Sequence, residues 1–148
     1  MKRALFLAAL ALCLGLVVVG CRSKTGTSGS GEADADRQAF INNHVYFDFD
    51  RYNIRPDQVP VVSSKAAYLG ANASARAELQ GYCDERGTEA YNNALADRRA
   101  KAVSNYLADQ GVSGSRLSTV SYGEEFPIDP GHNETAWAKN RRVQSVLQ

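Results

Sequence analysis

The stretch RAELQGYCDERGTEAYNNALADRRAKAV, residues 76–103, decides the fold because a strand, a charged corner and a helix follow one another within it. Residues 76–83 alternate between apolar or small side chains and polar ones, which predicts a strand with one buried face. The side chains on that face are Ala77, Leu79, Gly81 and Cys83. Three charges, Asp84, Glu85 and Arg86, then crowd the corner where the strand ends, which raises the question of what they hold.

A long helix is predicted after this corner. Gly87 permits a positive φ, and Thr88 is suited to accept a hydrogen bond as the helix N-cap. Glu89 follows in the first turn, where a negative charge favours the positive end of the helix dipole. We therefore predict a helix from Glu89 to about Gln110, ended by Gly111.

The rest of the folded part repeats this alternation of strands and helices. Further strands are predicted at residues 44–49, 117–122 and 142–147, and further helices at residues 57–70 and 134–140. The resulting order, βαβαβαβ, predicts an α/β (α+β) two-layer sandwich in which helices cover a mixed sheet.

One arginine of the long helix occupies a position where the core is expected. The apolar stripe of this helix consists of Leu95, Val103 and Leu107. Arg99 fills the missing place in that stripe, whereas Arg98 lies on the line of Ala94 and Ala102. An unpaired charge that leaves water costs several kcal/mol, so Arg99 requires a partner.

Asp84, at the end of the preceding strand, is a candidate partner for Arg99, and two interpretations fit the spacing. In one, the two side chains form an internal salt bridge between strand and helix. In the other, they flank a cleft and bind a zwitterion, with Arg99 on its carboxylate and Asp84 on its ammonium group. The spacing alone does not choose between them.

The start of the chain predicts a secreted protein anchored to a membrane. A short positive region precedes an uncharged apolar run at residues 4–19. A membrane span takes roughly 20 apolar residues, so a secretory signal is favoured over a small transmembrane anchor. Gly20 and Cys21 resemble the end of a bacterial lipoprotein signal, which implies that residues 1–20 are removed and that Cys21 is acylated. In enterobacterial lipoproteins an aspartate after the cysteine retains the protein at the inner membrane, so Arg22 points to the outer membrane.

Residues 21–40 are predicted to form a lipidated flexible tether, because the segment is rich in Ser, Gly, Thr and Ala and has little apolar surface to bury. Residues 41–148 then form one domain of common size. The chain has 17 basic and 16 acidic residues, so its charge does not favour a nucleic acid or another polyanion as a partner.

The cysteines and histidines argue against a disulfide or a metal site. Cys13 leaves with the signal and Cys21 carries lipid, so Cys83 is left alone among the three cysteines. Cys83 ends an apolar strand, which favours a buried thiol over a reactive one. His44 and His132 have no partners at the spacing of zinc ligands, so we expect neither a metal nor a cofactor.

Four stretches of the folded part together resemble the OmpA-like family of peptidoglycan-binding domains. They are VYFDFDRYNI (45–54), DERGTEAYNNALADRRAKAV (84–103), RLSTVSYGEEFP (116–127) and GHNETAWAKNRRV (131–143). They occur in order, with compatible spacing, and cover almost all of the folded part. Together with the lipoprotein signal, they are most similar to the peptidoglycan-associated lipoproteins of Gram-negative bacteria.

This resemblance implies a ligand and the residues that bind it. The family binds the stem peptide of peptidoglycan at meso-diaminopimelate, whose side chain carries an ammonium group and a carboxylate. The positions that match its binding residues are Phe49, Asp50, Asp84, Thr88, Leu95 and Arg99, although helix capping alone would account for Thr88. The chain departs from the family pattern at Tyr82 and Cys83. Tyr82 is larger than the usual residue and faces either the cleft or the other side of the sheet.

The function that the resemblance implies is a non-catalytic anchor of the cell envelope. Lipid on Cys21 holds the outer membrane, and the domain faces the periplasm and binds the wall. Docking to the periplasmic propeller protein of the Tol system, which acts in envelope constriction at division, is also implied. One alternative is an OmpA-like wall-binding lipoprotein of another envelope or secretion apparatus without Tol partners. A second alternative is an enzyme, which needs a nucleophile–base pair or a metal cluster, and the sequence shows neither.

Overall fold

The computed structural model describes residues 29–148, and the predicted signal segment and Cys21 lie outside these residues. The α-helices of the described part are α1 (Gly29–Asn42), α2 (Val59–Ala71), α3 (Glu89–Asp109) and α4 (Glu134–Asn140), and its strands are β1 (Val45–Tyr46), β2 (Ala77–Gly81), β3 (Leu117–Ser121) and β4 (Arg142–Leu147). From β1 onward the order is βαβαβαβ, as predicted. None of the helices in residues 29–148 is both long and apolar enough to cross a membrane.

The strands form one mixed sheet in the order β1–β4–β2–β3, which confirms the predicted sheet type. β4 is antiparallel to both of its neighbours, whereas β2 and β3 are parallel. At the end of β2, Gly81 lies between Val143 of β4 and Ser121 of β3. β1, β2 and β3 therefore point the same way, and the loops that follow them meet at one end of the sheet.

Helices α1, α2 and α3 contribute to one core on a single face of the sheet. Its fully buried apolar side chains include Val45, Phe47, Val62, Leu69, Leu79, Val103, Leu107 and Val143. The opposite face carries half-buried polar side chains such as Glu78, Gln80 and Gln144. In α3, Arg99 is buried together with the predicted apolar stripe and Arg98 is exposed, which confirms the predicted helix face.

The first strand is shorter than predicted. Residues 44–49 alternate like a strand, but only β1 itself pairs with β4. The N–H of Phe47 still donates a hydrogen bond to the Arg141 carbonyl at 3.0 Å, and the chain then turns at Asp50, whose φ is 55°. This turn directs Phe49 and Asp50 to the end of the sheet instead of continuing the ladder.

The N-terminal helix differs from the expected tether. We predicted an irregular chain up to residue 40, but α1 is helical from Gly29, and Phe40 is buried in the core with its ring centroid 4.9 Å from that of Tyr68. Lys65, itself buried, donates a hydrogen bond from Nζ to the Phe40 carbonyl near the end of α1. The packed part of the chain therefore begins before residue 41. Composition alone misses this because a single aromatic residue anchors an otherwise polar segment.

Candidate functional site

A cavity of about 240 Å³ opens at the end of the sheet, where the loops after β1 and β2 meet the first turns of α3. Predicted site residues that line it are Phe49, Asp50, Asp84, Leu95 and Arg99. The other lining residues are Cys83, Arg86, Gly87, Tyr91, Asn92 and Arg141. The cavity combines apolar surface with charges of both signs, which suits a small ligand that is itself charged at both ends.

Asp84 is only 4% exposed, and its carboxylate is held by two arginines. The backbone N–H and the Nε of Arg86 donate hydrogen bonds to Oδ1, both at 3.1 Å. Nη2 of Arg86 and Nη1 of Arg141 donate to Oδ2 at 2.8 and 3.1 Å. Burial acts to raise the pKa of Asp84, but the hydrogen bonds from Arg86 and Arg141 outweigh it and keep this pKa below its ordinary value.

Arg99 is fully buried, and its guanidinium contacts backbone rather than a carboxylate. Nε donates to the carbonyl of Arg51 at 2.8 Å, Nη1 to that of Tyr82 at 2.9 Å, and Nη2 to that of Asp48 at 3.0 Å. Nη1 also lies 3.3 Å from the sulfur of Cys83. Arg99 therefore ties the loop after β1 to the end of β2.

The internal salt bridge that we considered between Asp84 and Arg99 is not formed. Asp84 has Arg86 and Arg141 as its partners, and Arg99 has backbone carbonyls. Both residues nevertheless line the same cavity. The remaining interpretation, in which the two charges flank a cleft, agrees with this placement.

Arg86 lines the cavity but was not among the predicted site residues. Its guanidinium lies between two aromatic rings, 4.0 Å from the centroid of Phe49 and 4.1 Å from that of Trp137. It lies 3.4 Å from Glu134 in addition to its bonds with Asp84, and its side chain is 30% exposed. Because Trp137 belongs to α4, no local sequence pattern could reveal this arrangement.

Three exposed residues, Phe49, Asp50 and Tyr91, form the rim of the cavity. Phe49 and Tyr91 remain 53% and 45% exposed. The hydroxyl of Tyr91 donates a hydrogen bond to Oδ1 of Asp50, and this bond raises the pKa of Tyr91. The positive φ of Asp50 is uncommon for a residue with a side chain, and such conformations cluster at binding sites.

Thr88 lies outside the residues that line the cavity. Its Oγ1 accepts a hydrogen bond from the N–H of Tyr91 at 3.2 Å, so it caps α3 as predicted. The neighbouring buried residue Asn92 holds the charged corner instead. Its Nδ2 donates to the backbone carbonyls of Asp84 at 3.2 Å and Arg86 at 3.3 Å.

The chain departs from the family pattern at Tyr82 and Cys83, and of these two residues only Cys83 lines the cavity. Tyr82 stacks on Tyr122 with ring centroids 5.2 Å apart, and the guanidinium of Arg142 lies 3.8 Å from its ring. Tyr82 thus packs on the sheet face that is away from the helices. Cys83 borders the cavity but is 3% exposed, and burial raises the pKa of its thiol to about 11. This thiol is therefore protonated at neutral pH.

Glu85 orients one of the aromatic partners of Arg86. Its Oε1 accepts a hydrogen bond from Nε1 of Trp137 at 2.8 Å, and Nδ1 of His132 lies 2.8 Å from the same carboxylate. The contact with His132, followed by that with Trp137, lowers the pKa of Glu85. The three charges of the corner thus act together, because Asp84 holds Arg86 while Glu85 holds Trp137.

Comparison with known sequences identifies close relatives over most of the chain. The OmpA family matches residues 46–141. A peptidoglycan-associated lipoprotein of Haemophilus influenzae is 45% identical over 92% of this chain and 88% of the relative. Another, of Pseudomonas putida, is 40% identical over 93% of each chain. These names describe wall-associated lipoproteins and not enzymes, in agreement with the expected non-catalytic domain.

Solved structures have the same fold. The crystal structure of the peptidoglycan-associated lipoprotein from Burkholderia pseudomallei aligns with a TM-score of 0.69 at 41% identity, over 71% of this chain and 89% of that chain. The C-terminal domain of Helicobacter pylori MotB aligns with a TM-score of 0.67 at 24% identity, over 72% of this chain and 84% of that chain, and supports the fold alone. The chain belongs to the OmpA family and, within it, to the peptidoglycan-associated lipoproteins.

Proposed function

We propose that this protein is an outer-membrane lipoprotein whose folded domain binds peptidoglycan non-covalently, and that its cavity receives the meso-diaminopimelate residue of the stem peptide. The observation that carries the proposal is the placement of Phe49, Asp50, Asp84, Leu95 and Arg99 around one cavity. These residues come from the loop after β1 and from the loop after β2 together with α3, two parts of the chain that are distant in the sequence. The family membership of the chain supports the same ligand.

The chemistry of the cavity fits a ligand with an apolar stem and two opposite charges. The side chain of diaminopimelate is a short methylene chain that ends in an ammonium group and a carboxylate. Phe49 and Leu95 offer apolar surface to the methylenes. The lining cations are Arg86, Arg99 and Arg141, and the lining anions are Asp50 and Asp84. Charge-assisted hydrogen bonds to both ends would give this ligand more stabilisation than a ligand with one charge.

The proposed attachment to the membrane rests on the first residues of the chain. In our proposal, residues 1–20 are a cleaved signal, Cys21 carries lipid, and the segment from residue 21 connects the lipid to the domain in the periplasm. Several acyl chains anchor a protein firmly, because each buried methylene adds about 0.8 kcal/mol. The tether also raises the effective concentration of the domain near the wall, so a modest affinity for peptidoglycan suffices.

A second proposed partner is the periplasmic propeller protein of the Tol system, which would place this lipoprotein in envelope integrity and cell division. The alternative is a wall-binding lipoprotein of another envelope or secretion apparatus. Incubating the immobilised protein with the purified propeller protein of the same organism distinguishes the two. Retention of the propeller supports the Tol partner, and its complete passage through the column supports the alternative.

Sedimentation with purified peptidoglycan tests the site. We expect the wild-type protein to sediment with the sacculi, and the Asp84→Ala and Arg99→Ala variants each to lose most of this binding. The expected loss is about tenfold or more, because a hydrogen bond to a charged group contributes about 1.5–3 kcal/mol and each variant leaves one ligand charge without its partner.

Two controls separate a lost site from a lost fold. Arg99 is fully buried, so Arg99→Lys, which keeps the charge, accompanies Arg99→Ala, and thermal unfolding establishes that each variant is folded. Arg98→Ala removes the neighbouring exposed arginine and should bind like the wild type. Binding that survives both Asp84→Ala and Arg99→Ala would place the ligand elsewhere.

A further inference from the structure

The exposed length of α1 distinguishes it from the other helices of the domain. Every residue from 31 to 39 is exposed, and burial begins only at Phe40, in the last turn of the helix. A cavity of about 360 Å³ lies between α1 and α2, with Asp36 on one side and Ala67 on the other. The helix therefore projects from the domain and is packed onto it at its C-terminal end.

The exposed part of α1 has little intrinsic stability as a helix. Residues 29–39 read GSGEADADRQA, and the two glycines lower the helix propensity of this segment. Isolated helices shorter than about 12–15 residues are marginal in water, because most helix stability in proteins comes from packing. Residues 31–39 lack such packing, so the segment can melt without disturbing the core. Melting lengthens residues 29–39 from about 16 Å to about 38 Å, a gain of about 20 Å in reach.

Three residues fasten the C-terminal end of α1, and we call them the clasp: Phe40, Lys65 and Tyr68. Phe40 is buried, and the centroid of its ring lies 4.9 Å from that of Tyr68. Nζ of Lys65, also buried, donates a hydrogen bond to the Phe40 carbonyl and lies 4.8 Å from the centroid of the Phe40 ring. Burial lowers the pKa of Lys65 to about 8, so the ammonium group is still largely charged at neutral pH and its hydrogen bond is charge-assisted. The clasp thus holds both the side chain and the backbone of Phe40.

The clasp lies between the start of the chain and the strand that leads to the cavity. β1 follows α1 directly, and only its two residues pair with β4. Phe49 and Asp50, which line the proposed wall site, come next in the chain. A pull that reached β1 would slide this short strand along β4 and displace both residues.

We propose that the clasp takes up tension from the lipid anchor before it reaches β1, and that residues 29–39 melt under this tension and extend the tether. This inference rests on the function proposed above, in which the chain is fixed to the membrane through Cys21 and to the wall through its cavity. A change in the distance between membrane and wall then pulls on α1 from its N-terminal end. Melting of residues 29–39 absorbs about 20 Å of this change, and the clasp keeps the remaining pull away from Phe49 and Asp50.

Force spectroscopy of single molecules tests this arrangement. The full chain with the substitution Cys13→Ser, produced without lipid and kept in detergent, is attached to a probe through the thiol of Cys21, since Cys83 is buried. The probe is lowered onto immobilised sacculi and then retracted. We expect the wild-type chain to lengthen by about 20 Å at low force before its contact with the wall breaks.

Phe40→Ala removes the central side chain of the clasp. We expect its rupture force to be about half that of the wild type or less, while its sedimentation with sacculi in the absence of force stays within about twofold, because forced separation follows rates under load rather than equilibrium stability. Leu107→Ala is the matched control. Leu107 is fully buried in the same core but belongs to α3, outside the path from α1 to β1, so this variant should keep the wild-type rupture force.

Milder variants test the clasp and the melting of α1 separately. Lys65→Met keeps a long side chain but removes the hydrogen bond to the Phe40 carbonyl, so its rupture force should lie between those of the wild type and Phe40→Ala. Gly31→Ala raises helix propensity where no atom lies within 4 Å of an added Cβ, so the lengthening should require a higher force and the rupture force should not change. Gly114→Ala is equally unhindered but lies outside α1, and it should change neither quantity.

The outcomes separate this inference from the proposed function. Equal rupture forces for Phe40→Ala and Leu107→Ala overturn the inference and leave the proposed function in place, as does a wild-type chain that ruptures without the expected lengthening. A wild-type protein that binds sacculi neither on the probe nor in sedimentation overturns the proposed function, and the inference with it. If thermal melting shows Phe40→Ala to be unfolded, Lys65→Met decides, and a wild-type rupture force in that variant overturns the inference.

Discussion

Arg99 shows how a charge in the apolar stripe of a helix becomes part of the fold. The carbonyls of Asp48 and Arg51 lie in the loop after β1 and have no strand partner. The carbonyl of Tyr82, just after the end of β2, has none either. A buried carbonyl without a partner costs about as much as a lost hydrogen bond, and one guanidinium satisfies all three. The loops can therefore remain irregular and shape the cavity, because Arg99 supplies the hydrogen bonds that a regular strand would have made.

The thiol of Cys83 provides a prediction at the same scale. In a variant whose other cysteines, Cys13 and Cys21, are replaced by serine, we expect Cys83 to react with a thiol reagent at pH 8 about a hundredfold more slowly when the protein is folded than when it is unfolded in urea. The folded-state pKa of about 11, against an ordinary 9.0, lowers the thiolate fraction by that factor, and burial slows access further. Labelling of the folded protein at a rate similar to that in urea would indicate an accessible thiolate and would favour the alternative in which the protein is an enzyme.

The sequence could identify which residues meet at the site more readily than what they contact. Helical periodicity placed Arg99 and Arg98 on different sides of α3, because a helix period requires only local sequence. The partners of Arg99 are backbone carbonyls, which have no side-chain signature, and Trp137 reaches Arg86 from α4. Phe49 was recognised through the family resemblance, since no spacing links the loop after β1 to α3.

At the scale of elements, the contact between β2 and α3 depends on a glycine. A Cβ built on Gly81 would lie 2.0 Å from the carbonyl oxygen of Ala96 and 2.7 Å from its carbonyl carbon. Both atoms belong to the backbone of α3, so they cannot move aside without shifting the helix. The absence of a side chain at Gly81 therefore lets α3 lie close against the strand that leads into the charged corner.

We accordingly predict that Gly81→Ala destabilises the domain by about 3 kcal/mol, because the helix must move away from the strand. Gly70→Ala is the matched control, since Gly70 lies in α2 and no atom comes within 4 Å of a Cβ built there. That substitution should stabilise the domain by about 0.5–1 kcal/mol, through higher helix propensity and a less flexible unfolded chain. Urea unfolding of both variants measures the two effects, and equal stability of the two would contradict the close approach of β2 and α3.

The elements with strong periodicity were predictable, and those that depend on tertiary contacts were not. The first residues of α3 and α4 follow from local N-caps, Thr88 and Asn133, whose side chains accept hydrogen bonds from backbone N–H groups. The alternation in residues 44–49 resembles a longer strand, but only β1 pairs with β4, and the chain turns at Asp50, which has a positive φ. Helix α1 was missed because its packing depends on Phe40 and on the distant Lys65.

At the scale of the whole molecule, the topology of the sheet separates the cavity from the point where the chain enters the sheet. β1, β2 and β3 run toward the cavity, so the connection from α1 enters β1 at the opposite end of the sheet. The cavity is lined by the loops after β1 and β2, by α3 and by Arg141 at the entry to β4. The proposed wall site and the entry of the chain into β1 thus lie at opposite ends of the sheet. Because Cys21 is not among the residues of the cavity, the two proposed attachments are separable by mutation.

This separation leads to a prediction for cells that carry single and double variants. Cys21→Ser should leave the membrane fraction but still sediment with sacculi, because the cavity is unchanged. Asp84→Ala should remain in the membrane fraction but be washed from sacculi by detergent, because it keeps its lipid and loses one of the charges that line the cavity. The double variant should be found in neither fraction, because the lipid alone holds the protein in membranes and the cavity alone holds it on sacculi. A Cys21→Ser protein that stays in membranes would contradict the lipid anchor. An Asp84→Ala protein that stays on sacculi would show instead that the wall contacts the domain outside the cavity.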